Sequence, residues 1–160
     1  MTAKTQTHPD AASQDAQLSM SGLDFMRGIL DGTLPPAPIA ARLDYVLHAV
    51  EDGQVSFRGA PNVNMTNPMG GVHGGWYGTL LDSAMGCAVM TKLPAGSIYT
   101  TLEYKINITR AIPLGTMIDC TATVSHAGRS TAVATGDIHG IEDGKLYATG
   151  STTCIIMKMR

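Results

Sequence analysis

The most unusual ionisable residue of the chain is Asp82, the only charged side chain in the run NPMGGVHGGWYGTLLDSAMG at residues 67–86. Its neighbours are small or apolar, as in a segment built for burial. Because a carboxylate stranded in a protein core is costly, proteins rarely keep one without partners or a purpose. One interpretation is a general base or nucleophile in an apolar cleft. The other is a structural carboxylate that caps or bridges backbone groups or packs at an interface.

A glycine-rich turn with His73 and Gly74 precedes this segment. The first backbone N–H groups of a helix have no partner inside it, and the helix dipole adds partial positive charge there. Because Gly74 has no side chain, a ligand oxygen can approach its N–H. The turn therefore predicts an oxyanion hole made from backbone.

The spacing of the two features constrains how they cooperate. Gly74 and Asp82 are eight residues apart, which corresponds to roughly 12 Å along a helix. An oxyanion donor and the attacking group must both lie about 3 Å from one carbonyl. One chain cannot easily supply both, but two antiparallel copies of the helix across a twofold axis can. The sequence thus favours a dimer with two equivalent shared sites.

The elements that must position these residues follow from the hydrophobic pattern. Residues 76–93 are apolar nearly all round, which indicates a helix enclosed on every side. Residues 39–60 predict two strands joined at Glu51–Gly53, and four further strands follow at 99–110, 116–126, 130–139 and 145–157. In the first of these four, simple alternation predicts Leu102, Tyr104 and Ile106 on one face and Thr101 on the other. The fold class is α+β, with an antiparallel sheet curled around one central helix and a sheet face or edge left for self-association.

The start of the chain lies outside this pattern. Residues 1–20 predict a disordered tail without a secretory signal. Residues 21–38 predict a short helix, ending near Gly32, and a Pro-rich connector. That helix is either ordinary packing or a cover for a pocket mouth. Residues 39–160 form the predicted main domain.

Composition excludes several classes of function. The 160-residue chain has a net charge of −2 and few aromatic residues, which argues against a nucleic-acid partner. No apolar run is long and clean enough to predict a membrane span. Three scattered cysteines, Cys87, Cys120 and Cys154, favour buried reduced thiols and a cytoplasmic location. The five histidines show no ligand spacing, so we expect neither a metal nor a redox cofactor.

Five stretches together resemble a known family: the turn NPMGGVHGGW, the helix LLDSAMG, the strand TTLEYKINITR, the turn HAGRST and the final ATGSTTC. They resemble the hotdog-fold acyl-CoA thioesterases of the phenylacetic-acid-degradation (PaaI-type) group over roughly residues 40–157. The resemblance implies a curved sheet wrapped around a long helix, active sites at a dimer interface and usually a homotetramer. It also implies hydrolysis of an acyl-CoA, with CoA as part of the substrate rather than a cofactor.

The resemblance also implies roles for individual residues. Asp82 matches the catalytic acid, Gly74 the N–H donor to the thioester carbonyl, His73 the residue that shapes the turn, and Asn67 the amide that places the water or the carbonyl. A strand hydroxyl assists the acid, and either Thr101, by alignment, or Thr100 is in position. The turn of Gly128, Arg129 and Ser130 matches the segment that meets the CoA phosphates.

Two other readings of the sequence stay open. A hotdog hydratase or dehydratase would use a histidine in proton transfer, and an acyl-CoA-binding or sensing module would need no acid at position 82. The acyl group is not readable: aryl and medium-chain acyl groups fit equally, and Trp76, Tyr77, Met85, Met90 and Tyr99 are the candidate pocket residues.

Overall fold

A computed structural model describes residues 17–159 of the chain. From Gly22 to Met159 these residues form three α-helices, six strands and a short 3-10 helix at Val63–Met65. In chain order they are α1 (Gly22–Asp31), α2 (Pro38–Arg42), β1 (Tyr45–Glu51), β2 (Gln54–Gly59), α3 (Gly74–Met90), β3 (Ser97–Ile108), β4 (Ile118–Ala127), β5 (Thr131–Gly140) and β6 (Leu146–Lys158). The predicted tail, residues 1–20, lies mostly outside the described residues; within it, the Leu18 carbonyl accepts a hydrogen bond of 2.8 Å from the Gly96 N–H.

The six strands form one antiparallel sheet in the order β1-β2-β4-β5-β6-β3. Strands β2 to β6 pack extensively against α3, and β1 reaches it through Tyr45, so the sheet curves around this helix. The α+β architecture and the central helix that the resemblance implies are therefore confirmed.

Helix α3 is buried because its sequence is apolar on nearly every side. Leu80, Leu81, Ala84, Met85 and Val89 have no exposed surface. The inward residues of β4, Ile118, Cys120 and Ala122, close the core from the sheet side. Burial of this apolar surface is the main stabilising contribution to the domain.

The beginning of the predicted first strand is wrong. Residues 38–42 form the short helix α2 instead, and β1 begins only at Tyr45. Pro38 stands at the first helical position, where its missing N–H costs nothing and its fixed φ suits the helix. The chain then turns at Asp44, with a φ of +57°, into β1.

The outer face of the sheet is mainly polar, with Thr121, Thr135 and Ser151 among its side chains. Edge strand β3, in contrast, exposes the apolar residues Leu102 and Ile108. The expected self-association through a face or an edge stays a prediction. No helix between Gln17 and Met159 is long and apolar enough to cross a membrane.

Candidate active site

Asp82 lies in the middle of α3, half-buried in the wall of a cavity. Its Oδ1 accepts a hydrogen bond of 3.0 Å from the Thr101 hydroxyl on β3. Oδ2 has no donor among residues 17–159, so it is available to a water molecule or a substrate. A carboxylate held by one oxygen and open at the other is suited to act as a base or a nucleophile.

Of the two candidate hydroxyls, the structure brings Thr101 to Asp82. Thr100 is exposed, because neighbouring residues of a strand point to opposite faces. The geometry thus selects Thr101, which the alignment favoured, over Thr100.

A β-bulge at Leu102 determines which side chains of β3 face α3. Thr101 and Glu103 pair with consecutive residues of β6, which leaves Leu102 without a partner of its own. The predicted alternation is therefore wrong: Thr101 contacts Asp82, and Tyr104 also faces α3, since its hydroxyl lies 3.3 Å from where a Cβ on Gly78 would stand. Because the bulge adds one residue to β3, Thr101 and Tyr104 both face α3 although they are three positions apart.

The start of α3 leaves one backbone donor free. His73 is the N-cap: its Nδ1 accepts from the Gly75 N–H at 2.8 Å, and its carbonyl accepts from the Trp76 N–H at 2.9 Å. The Gly74 N–H finds no acceptor among residues 17–159, and a Cβ at this position would meet only Ile108 Cδ1, at 3.5 Å. This exposed donor has the properties of an oxyanion site.

Asn67 builds the turn before α3. Its N–H donates to the Gly71 carbonyl at 2.8 Å and its Oδ1 accepts from the Met69 N–H at 2.9 Å, while Gly70 adopts a φ of +82°. The side-chain carbonyl is thus engaged within the turn. The Nδ2 group has no acceptor in the described part of the chain, so it keeps a donor for a water or a carbonyl.

Within one chain, the structure does not bring Gly74 and Asp82 together. They lie on the same helix, about 12 Å apart along its axis. Asp82 and Thr101 form one group; Asn67, His73 and Gly74 form another at the helix start. Both groups can act on one carbonyl only if a second copy contributes.

The cavity next to Asp82 has a volume of about 220 Å³. Its walls include residues that the sequence analysis did not single out: Met26 and Ile29 of α1, Ser83, Tyr45 and Cys87. The Tyr45 hydroxyl and Ser83 Oγ are 3.0 Å apart and bond to each other. Ser83 and Cys87 share the cavity-facing side of α3 with Asp82, and their helical spacing in the sequence could have identified them.

Burial, together with the nearby Asp82, raises the pKa of Cys87 to about 12. Burial also raises the pKa of Tyr99 well above its usual value. Both groups are therefore neutral at physiological pH. They line the cavity as uncharged side chains and leave the Asp82 carboxylate as its reactive group.

Of the candidate pocket residues, Tyr99 and Met90 line cavities. Trp76, Tyr77 and Met85 belong to the core between helix and sheet. That part of the prediction is wrong, because these three side chains are almost fully buried within the domain.

The turn of Gly128, Arg129 and Ser130 joins β4 to β5, far from the start of α3. Gly128 and Arg129 line a cleft of about 320 Å³ together with Lys92 and Lys158. Three cations around one cleft suit an anionic group. The two lysines were missed because they are distant in sequence from the turn.

Residues 17–159 contain no cluster of three or more His, Cys, Asp or Glu side chains that could hold a metal ion. The Nδ1 atom of His73 is engaged as a helix cap, which leaves a structural role for this side chain.

Comparisons with known proteins agree with this architecture. A family model described as the thioesterase superfamily matches residues 69–147, whereas a comparison with curated proteins found no match. A phenylacetic acid degradation-related protein from Ralstonia eutropha JMP134 is 28% identical, with a TM-score of 0.74 over 81% of this chain and 98% of that chain.

Two further solved structures extend the comparison. A hypothetical thioesterase from Streptococcus pneumoniae, solved with coenzyme A, is 26% identical, with a TM-score of 0.66 over 73% of this chain and 88% of that chain. The E. coli PaaI protein from the phenylacetic acid degradation operon shares the fold at 19% identity, with a TM-score of 0.74 over 89% of this chain and all of that chain. The chain is therefore similar to the thioesterase superfamily over residues 69–147 and has the hotdog fold of the PaaI-type proteins, which supports a thioester hydrolase.

Proposed function

We propose that this thioester hydrolase is an acyl-CoA thioesterase that converts an aryl- or acyl-CoA and water into a carboxylic acid and free CoA. The observation that carries the proposal is the Asp82 carboxylate, which Thr101 holds in the wall of an apolar cavity with one oxygen free. The CoA bound to the Streptococcus pneumoniae relative supports the choice of thiol.

Asp82 acts by one of two routes. As a base, it takes a proton from a water molecule, whose oxygen attacks the thioester carbonyl. As a nucleophile, its own oxygen attacks, and water then hydrolyses the resulting mixed anhydride. In both routes the carbon–sulfur bond breaks, and the CoA thiolate leaves and takes up a proton.

The developing oxyanion requires a donor that Asp82's own chain does not place nearby. The Gly74 N–H of a second copy fills this role, with His73 holding the turn and the Asn67 amide placing the water or the carbonyl. A twofold axis then generates two equivalent sites. The protein is accordingly a homodimer at least, and we expect a homotetramer of two such dimers.

The cationic cleft supplies the binding energy for the nucleotide part of CoA. Arg129, with Gly128 and Ser130 in the same turn, meets the phosphates, and Lys92 and Lys158 add positive charge. Lys92 also pairs with Asp52 at 2.9 Å, so only part of its charge is available.

The proposal is tested by measuring thiol release from aryl- and alkyl-CoA esters with wild type and Asp82→Asn. Asparagine keeps the shape of the side chain and still accepts the Thr101 bond, so the variant should fold and bind CoA esters. Turnover should fall by about 10²–10⁴-fold, as expected when a general base is lost. Asp137→Asn, which alters an exposed carboxylate on β5, is the matched control and should retain activity. Wild-type turnover by folded Asp82→Asn would remove Asp82 from the mechanism.

A further inference from the structure

A second cavity of about 440 Å³ adjoins the one that holds Asp82. The two cavities share much of their walls, including Met26, Ile29, Pro36, Cys87 and Tyr99. They therefore form one chamber with an inner lobe at Asp82 and an outer lobe between α1, the Pro-rich connector and the end of α3. A single chain builds this chamber, unlike the two-chain reaction centre.

The chamber suits an apolar occupant. Of the described residues lining its two lobes, Asp82 is the only charged one. The hydroxyls of Tyr45 and Ser83 satisfy each other, and the Gln17 amide lies 3.8 Å from Met90 Sδ. Since no charged partner other than Asp82 faces the chamber, a second ionised group on the occupant would be buried without compensation.

The length of the chamber separates two classes of acyl group. Asp82 and Met90 are eight residues apart on α3, about 12 Å along its axis. An extended chain advances about 1.3 Å per bond, because three backbone bonds span about 3.8 Å between successive Cα atoms. The chamber thus accommodates an extended acyl chain of about nine bonds beyond the reacting carbonyl. A single-ring aryl group is much shorter and would leave the outer lobe unfilled.

We propose that this chamber binds an unbranched medium-chain acyl group, with its carbonyl at Asp82 and its methyl end beside Met90. The proposal rests on the proposed thioesterase function and names the substrate class within it. About eight to ten carbons would fill both lobes.

The outer wall is anchored to α3, which makes the chain-length limit a property of the fold. The Gly22 N–H donates to the Leu93 carbonyl at 2.9 Å, and a Cβ at Gly22 would collide with the Met90 carbonyl. At the far end of α1, the Leu34 N–H donates to the Gly28 carbonyl at 2.9 Å. Helix α1 is therefore held at its start against the end of α3, and the connector folds back onto its last turn.

The test is a chain-length series of kcat/KM for acetyl-, butyryl-, hexanoyl-, octanoyl-, decanoyl- and hexadecanoyl-CoA beside phenylacetyl-CoA. Each added CH2 should raise kcat/KM by up to about fourfold until the chamber is full. Octanoyl- or decanoyl-CoA should exceed phenylacetyl-CoA by at least about tenfold, and hexadecanoyl-CoA should fall below the maximum. A flat series, or a preference for the aryl ester, would overturn the inference.

A variant tests whether the chamber itself sets this preference. Ile29 lines both lobes, so Ile29→Trp should lower the octanoyl-to-butyryl ratio of kcat/KM by at least about tenfold. Leu30→Trp adds the same bulk to the exposed side of α1 and should leave the ratio unchanged. An unchanged ratio for folded Ile29→Trp would place the acyl group elsewhere.

A direct binding measurement distinguishes a failure of this inference from a failure of the proposed function. Asp82→Asn, measured by calorimetry, should bind octanoyl-CoA more tightly than acetyl-CoA by at least about tenfold. Asp82-dependent hydrolysis without chain-length preference would leave the thioesterase function intact and refute the chamber as the acyl site. Absence of hydrolysis from every CoA ester would instead refute the proposed function.

Discussion

Replacing Gly74 by proline removes the one free N–H of the first turn of α3 and keeps the helix. Proline is favoured at the first helical position, because no intrahelical hydrogen bond is lost there. The preceding residue, His73, has φ −65° and ψ 135°, a conformation that suits a residue before proline. Proline also restricts the unfolded chain, so the thermal midpoint should stay the same or rise.

The expected loss follows from the number of donors at this position. Gly75 and Trp76 donate to His73, so among the described residues Gly74 is left as the free donor of this turn. Removing one oxyanion donor costs about 2.7–4 kcal/mol, or about 10²–10³ in kcat. Because the contact forms in the transition state, kcat and kcat/KM should fall together in a thiol-release assay. Gly74→Ala keeps the N–H and is the matched control.

Mixed dimers show which chain supplies the donor. If Asp82 and Gly74 act across the interface, a dimer of one Asp82→Asn and one Gly74→Pro chain contains one intact site. Random exchange of equal amounts of the two inactive variants should then restore about a quarter of wild-type activity. Gly74→Pro activity equal to that of Gly74→Ala would refute the donor role. Two inactive variants that stay inactive after exchange would refute the shared site.

Three further predictions concern other residues of the site. Thr101→Val should lower kcat by about tenfold or more, because a hydrogen bond to a charged group is worth about 1.5–3 kcal/mol. The control Thr100→Val should change kcat less than about twofold. Equal kcat losses in the two variants would contradict the orienting role of Thr101. Arg129→Ala should raise KM severalfold for CoA esters but not for a small thioester without phosphates, and identical KM shifts for both would exclude phosphate binding. Burial raises the pKa of Cys87 from 9.0 to about 12. Its alkylation should therefore be roughly a thousandfold slower at pH 8 than that of a free thiol, and should accelerate as the pH rises. Rapid modification of Cys87 at pH 8, seen by mass spectrometry, would contradict this.

Local sequence patterns predicted most of the fold. The apolar run that forms α3 is too long for any element other than a helix. The turns after β1 and β4 occur at Gly53 and Gly128, as these glycines predict. The failures had nonlocal or competing causes. At residues 38–42, proline at a helix start outweighed an apolar pattern that also fits a strand.

A site residue could be predicted where its own sequence neighbours make it unusual. It could not be predicted where the pairing of strands determines which way its side chain points. Asp82 stood out because its neighbours are apolar. The position of Thr101 depends on the bulge at Leu102, which exists only in the pairing of β3 with β6. The wall that α1 provides is likewise a tertiary contact, since residues that line the same chamber, Ile29 and Asp82, are separated by fifty-three positions in the chain.

The part of the chamber wall made by α1 and the Pro-rich connector lies outside the segment that matches the family model. The family match begins at residue 69, whereas α1 and the Pro-rich connector precede it and contribute no strand to the sheet. The proposed acyl selectivity thus depends partly on a stretch other than the one that carries Asp82. A lineage can exchange or reshape residues 22–37 and acquire a new range of thioesters while the inherited hydrolytic framework remains intact.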